Sequence, residues 1–142
     1  MIIDQISVFA ENKPGSLSGI TKLLADAVID IKALTIADTE KYGILRLIVD
    51  KPDKTLEVLK GGGFIAKKAP VIAIEMDNKP GSLASIIGLL AEKDVSIEYL
   101  YAFVAQTIEQ AYVVIRVEDE EYAAKILAEA GYTNGSKISF DK

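Results

Sequence analysis

Residues 12–17 read Asn-Lys-Pro-Gly-Ser-Leu, and the same six letters return at residues 78–83, an offset of 66. Carried across residues 5–35 against 71–101, that offset gives 13 identities in 31 positions, among them Ile6/Ile72, Ile20/Ile86, Leu24/Leu90 and Ile31/Ile97. Self-similarity of this extent marks a duplicated structural unit. Further on the offset becomes 68, aligning Val49 with Val117, Leu59 with Leu127, Gly63 with Gly131 and Phe64 with Tyr132. The second copy therefore carries two extra residues near 104–110, where a loop absorbs them. The 142 residues divide into two units, 1–69 and 70–142, at Ala69-Pro70. A unit of that size buries only about 60% of its surface alone, against about 68% for the whole chain, so each copy is marginal by itself.

Within each copy the apolar period alternates between two and 3.6. Residues 2–10 and 71–77 alternate as strands, with Ile6, Val8 and Ala10, and Ile72, Ile74 and Met76, on one face. Residues 15–27 and 81–93 place Leu17, Ile20, Leu23 and Leu24, and Leu83, Ile86, Leu89 and Leu90, at helical spacing. Hairpins are predicted over 30–39 with 42–50, and over 95–104 with 110–118. Second helices follow at 53–60, with Asp53 as N-cap and Gly61-Gly62-Gly63 as terminator, and at 119–130, ending at Gly131. Last strands are predicted at 64–69 and 136–140. The order per copy is βαββαβ, a ferredoxin-like α+β unit with an antiparallel sheet and both helices on one face. Leu100-Tyr101-Ala102-Phe103-Val104 is apolar on both sides, so the open face or edge of its sheet is expected to pack on another copy.

Composition narrows what such a pair can do. Half the residues are apolar and 26% charged, as in a compact domain. The chain has no Cys and no His, which excludes thiolate catalysis, Cys-based metal sites and the commonest general base. No cofactor is implied. The net charge of −5 has the wrong sign for nucleic acid or an anionic membrane surface. It splits into +1 over residues 1–69 and −6 over 70–142, so the two solvated faces have diverged. The acidic run Glu118-Asp119-Glu120-Glu121 is read as a helix start, where negative charge suits the macrodipole. Met1-Ile2-Ile3-Asp4 lacks a basic leader, and no apolar run approaches the roughly 20 residues that span a bilayer, so a cytoplasmic location is expected.

The repeated Asn-x-Pro-Gly falls where a strand ends and a helix begins, and a helix N-terminus offers unpaired N–H groups with a partial positive charge. That combination suits a small carboxylate. Pro14 and Pro80 fix the entry, while Gly15 and Gly81 leave out a Cβ where a ligand approaches. Ser16 and Ser82 can cap or donate, and Asn12 and Asn78 offer both donor and acceptor. The same residues also suit a plain strand-to-helix turn. An acylphosphatase-like enzyme on this fold would need an Arg in the loop. Arg46 and Arg116 lie elsewhere and do not align between the copies.

With the βαββαβ order, Glu11-Asn12-Lys13-Pro14-Gly15-Ser16-Leu17 and its second copy resemble the ACT domain over nearly the whole chain. The resemblance implies a regulatory, non-enzymatic module that binds a small ligand, usually an amino acid, with a regulated enzyme of amino-acid metabolism as possible partner. It also implies side-by-side pairing into an eight-stranded sheet, within the tandem chain or in a homodimer. The ligand would lie between the first loop of one domain and the second strand of its neighbour. The loop residues this assigns are Asn12, Lys13, Pro14, Gly15, Ser16 and Leu17, and Asn78, Lys79, Pro80, Gly81, Ser82 and Leu83; the second-strand residues are Asp30 and Ser96. In serine-binding members a His precedes the Asn by two residues and an Asn opens the second strand. Here those positions hold Ala10 and Met76, and Asp30 and Ser96, which implies unequal sites. Asp30 would receive a ligand ammonium at the Asn78 loop, and Ser96 would offer the Asn12 loop only a neutral hydrogen bond. A pairing module without ligand remains the alternative.

Overall fold

The computed structural model describes residues 1–38, 41–104 and 109–133. The elements run β1 (Ile2–Glu11), α1 (Ser16–Asp26), β2 (Ile31–Asp38), β3 (Tyr42–Val49), α2 (Pro52–Gly61), β4 (Ile65–Asp77), α3 (Ser82–Glu92), β5 (Ile97–Val104), β6 (Gln110–Val117) and α4 (Glu120–Glu129). Six antiparallel strands and four helices thus make a tandem α+β fold of ferredoxin-like type. The contacts divide the chain into two compact units: Asp4–Ala69, and residues from Pro70 onward joined by Met1–Ile3.

In the first unit the strand order is β2-β3-β1, followed by the opening residues of β4. Alternation puts Ile6 and Val8 opposite Leu47 and Leu45 on one sheet face. Helix α1 brings Ile20 and Leu24 to that face and α2 brings Leu59, all at most 1% exposed, and Ala66 of β4 completes the cluster. Both helices of the unit therefore cover the same face. The second unit repeats this with order β4-β6-β5: Ile72, Ile74, Val113, Ile115 and Val117 meet Ile86 and Leu90 of α3 and Ala123, Ile126 and Leu127 of α4. On its opposite face Tyr99, Tyr101 and Phe103 stand across from Arg116, Val114 and Tyr112, and the Phe103 and Tyr112 rings lie 5.5 Å apart.

Three sequence expectations change. The strands expected at 64–69 and 71–77 are one 13-residue strand, β4, because Pro70 takes an exposed strand position and continues the extended backbone. Six strands are described instead of eight, since that pair has merged and the strand expected at 136–140 lies outside the described residues. Asp53 is not the N-cap of α2. Lys51 holds that place without a side-chain cap, because Pro52, its φ preset for helix, starts the helix one residue earlier. Asp119 does cap α4, its side chain accepting from the Tyr122 N–H at 3.1 Å, with Glu120 and Glu121 in the first turn as the acidic run implies.

Candidate functional site

Each copy ends its first strand in the same backbone figure. After β1, the Asn12 N–H donates to the Lys41 carbonyl (2.9 Å), Lys13 N–H to Glu11 (2.9 Å) and Ser16 N–H to Lys13 (3.3 Å). After β4, Asn78 N–H donates to Glu109 (2.9 Å), Lys79 N–H to Asp77 (3.0 Å) and Ser82 N–H to Lys79 (3.3 Å). The helices start from Gly15 at φ 90°, ψ −17° and Gly81 at φ 90°, ψ −14°. That left-handed conformation is why the motif needs glycine: a Cβ would meet nothing within 4 Å at either position, so backbone preference and not crowding excludes other residues. Ser16 and Ser82 are the first helical residues rather than side-chain caps.

Around these turns the side chains fall into distinct roles. Lys13 pairs with Glu11 at 2.9 Å and Lys79 with Asp77 at 3.6 Å, all four exposed. Asn12, Pro14 and Leu17 are exposed in the first copy, as are Asn78 and Pro80 in the second, whereas Leu83 packs against the second core. Asp30 accepts from the Lys32 ammonium at 2.6 Å, and its N–H donates to Asp50 at 2.9 Å. An incoming ammonium at Asp30 would therefore compete with Lys32. Ser96, which the resemblance assigns to the Asn12 loop, has acidic neighbours. It lines a separate recess of about 670 Å³ with Asp94, Glu118, Asp119, Glu120 and Glu121, whose charge repels a carboxylate. Among the described residues no cluster of acidic side chains is arranged to hold a metal ion.

The second turn opens on a recess of about 300 Å³ lined by Met76, Asp77, Lys79, Pro80, Gly81, Ser82, Ser85 and Tyr132. The Asn-x-Pro-Gly motif itself does not point to Ser85 or Tyr132. A signal was available, since Ser85 replaces Gly19 within an otherwise well-matched stretch of the repeat. The recess combines the start of α3, where N–H groups have no intrahelical acceptor, with the Lys79–Asp77 ion pair, three hydroxyls and an apolar wall. Chemically it suits a small anion carrying some apolar surface.

Each ferredoxin-like unit of the tandem opens its first helix from a Pro-Gly turn. The family model of the ACT domain pair matches residues 1–135, and the chain belongs to that family. It is similar over 100% of its length to 98% of protein BT0572 from Bacteroides thetaiotaomicron, at 36% identity and a TM-score of 0.90. It also shares its fold with the regulatory subunit of aspartate kinase from Thermus thermophilus (18% identity, 92% of this chain and 97% of that one, TM-score 0.67). The corresponding subunit from Thermus flavus matches at 17% identity over 92% and 95% of the two chains, with a TM-score of 0.63. No curated protein matches the chain significantly. No helix among the described residues is long and apolar enough to cross a membrane.

Proposed function

We propose that this chain is a regulatory protein of two ACT-like domains, 1–69 and 70–142, that binds a small ligand, an L-amino acid, at its Asn-x-Pro-Gly turns where domains meet. Asn12 to Leu17 and Asn78 to Leu83 form the loops, with Asp30 and Ser96 as contributors from the neighbouring domain. The reading is carried by one observation: a glycine-started helix N-terminus, built twice with the same backbone angles, in a chain of this family. The helix start receives the carboxylate through N–H groups and the macrodipole. Occupancy acts by differential affinity for two arrangements of the protein, and so shifts its association with a regulated enzyme. The similarity to regulatory subunits of aspartate kinase fits an enzyme partner of this kind.

A thermal-shift panel over the L-amino acids, purine nucleotides and acyl phosphates tests the assignment. Saturation at about 100 times Kd adds roughly 2.7 kcal/mol, or about 5–10 °C in Tm at this size. A shift with at least one L-amino acid is expected, and a response confined to acyl phosphates would favour a hydrolase instead. A pairing module without ligand is the second reading. It is favoured by Leu34 and Ile36, 50% and 47% exposed on β2, an end strand. A flat panel together with concentration-dependent self-association would select it.

A further inference from the structure

Proline has no N–H, so a strand that runs through one gives up a ladder donor at that residue. Strand β4 does this at Pro70, the residue at which the chain passes from one compact unit to the other. The pairing of β4 with β6 extends from Asp77 and Gln110 only as far as Ile72 and Ile115. Two residues before Ile72, a side chain takes over from the ladder: the Arg116 guanidinium donates to the Pro70 carbonyl at 2.6 Å. Arg116 directly follows the last paired residue of β6, which places it to span this gap.

The guanidinium is held from two further sides. Glu120, in the first turn of α4, accepts from Nη1, and the Glu98 carboxylate of β5 lies 3.5 Å from Nε. The side chains of Arg116 and Glu120 are only 24% and 18% exposed, so water screens their attraction less than at an open surface. One arginine thus joins β4, β5, β6 and the start of α4. The fold does not require this network. In the repeat, Pro70, Glu98, Arg116 and Glu120 correspond to Asp4, Lys32, Ile48 and Pro52, and the first copy builds its elements without an arginine at that place. The four residues occur together only in the copy whose first strand carries the proline.

We infer that Arg116 is a charge-held latch on β4: gripped by Glu98 and Glu120, it keeps the strand unbroken through Pro70, and without that grip the strand opens at the proline into two segments. The latch goes beyond the ligand reading and does not depend on it. Its setting is electrostatic, and Glu98 is 51% exposed, so dissolved ions reach the network and loosen it. Amide exchange of the full chain, read residue by residue by NMR, tests this. Arg116→Met keeps the apolar stem and loses the donors. Val71 and Ile72 should exchange about tenfold faster in that variant, the order expected when a hydrogen bond from a charged donor is lost. Ile74 in the same strand and Leu47 in the first core should keep their rates. In wild type, exchange at Val71 and Ile72 should also rise on going from about 0.05 M to about 1 M NaCl, and Arg116→Met should lack that rise, a response that lost packing alone would not give. Unchanged exchange at Val71 and Ile72 in Arg116→Met, or acceleration spread evenly to Ile74 and Leu47, would overturn the latch. Should the variant fail to fold, the wild-type salt series decides: a rise confined to Val71 and Ile72 supports the latch, and a flat or uniform response overturns it.

Discussion

Val28 and Asp94 occupy the same place in the two copies, just past the first helix, with φ of 57° and 58°. Left-handed backbone is tolerable for Asp, whose short polar side chain bonds locally, and costly for a β-branched residue such as Val. Val28 is moreover 74% exposed, so packing returns little for the strain. Val28→Asn should therefore raise stability by about 0.5–1 kcal/mol, and the reciprocal Asp94→Val should lower it by about the same amount. Urea unfolding of both variants checks this; equal and unchanged midpoints would show that the backbone relaxes at no cost. The same conformational rule governs Gly15 and Gly81, where it could be read from sequence only in part. Pro-Gly at a strand end signals a turn, but the motif alone does not distinguish a glycine kept for φ 90° from one kept bare for a ligand. Any side chain at either position strains the turn, so substitution there tests folding and binding together.

At the scale of elements, hydrophobic period carried most of the information. The first helices, expected at 15–27 and 81–93, form over Ser16–Asp26 and Ser82–Glu92, because Ile20 and Leu24, and Ile86 and Leu90, meet one sheet face at helical spacing. What period does not carry is the first turn of a helix, where single residues compete. Asp53 and Asp119 both look like caps, yet only Asp119 accepts a backbone N–H, since Pro52 moves the start of α2 upstream. Asp53 instead accepts from Lys68 at 2.7 Å, and that hydrogen bond, with the charges of Asp53 and Asp4, raises the Lys68 pKa. Asp119→Ala should cost about 1 kcal/mol, the usual value of a lost cap. Asp53→Ala removes only an exposed ion pair and should cost less than the lost cap, with the difference from wild type shrinking in high salt. Melting both variants at low and high salt distinguishes the two roles, and equal losses would mean that Asp53 caps in solution. Period was equally silent on β4, where a proline between two alternating runs reads as a break although an exposed strand position accommodates it. The recess at the second turn was hidden for another reason. Its wall includes Tyr132, distant in sequence from the motif, and only the repeat alignment links that residue to Phe64.

Over the whole molecule, duplication predicts two copies cut at one point, yet the compact units do not follow the chain so simply. Met1–Ile3 group with residues from Pro70 onward, apart from the Asp4–Ala69 unit that they precede in sequence. The physical contacts are specific: the Met1 carbonyl accepts from the Ala73 N–H at 2.8 Å, and the Met1 side chain packs against the second core. An alignment of copies cannot show this, because the residues involved lie before the repeated segment. Ala73 is buried, so loss of its acceptor leaves an N–H with no partner from these residues and strips part of the apolar cover from β4. A chain lacking residues 1–3 should be less stable by at least about 1 kcal/mol, because the Met1 acceptor and its partly buried side chain go together with the first residues of β1. The loss should be local to the second unit: amide exchange should accelerate at Ala73, while Leu47 and Leu45 in the first core keep their protection. Uniform acceleration in both units would mean that the two unfold as one, and unchanged exchange at Ala73 would mean that water replaces Met1 without penalty. The expected local outcome also bears on regulation, because a unit stabilised by residues 1–3 can be loosened or tightened by whatever those residues contact.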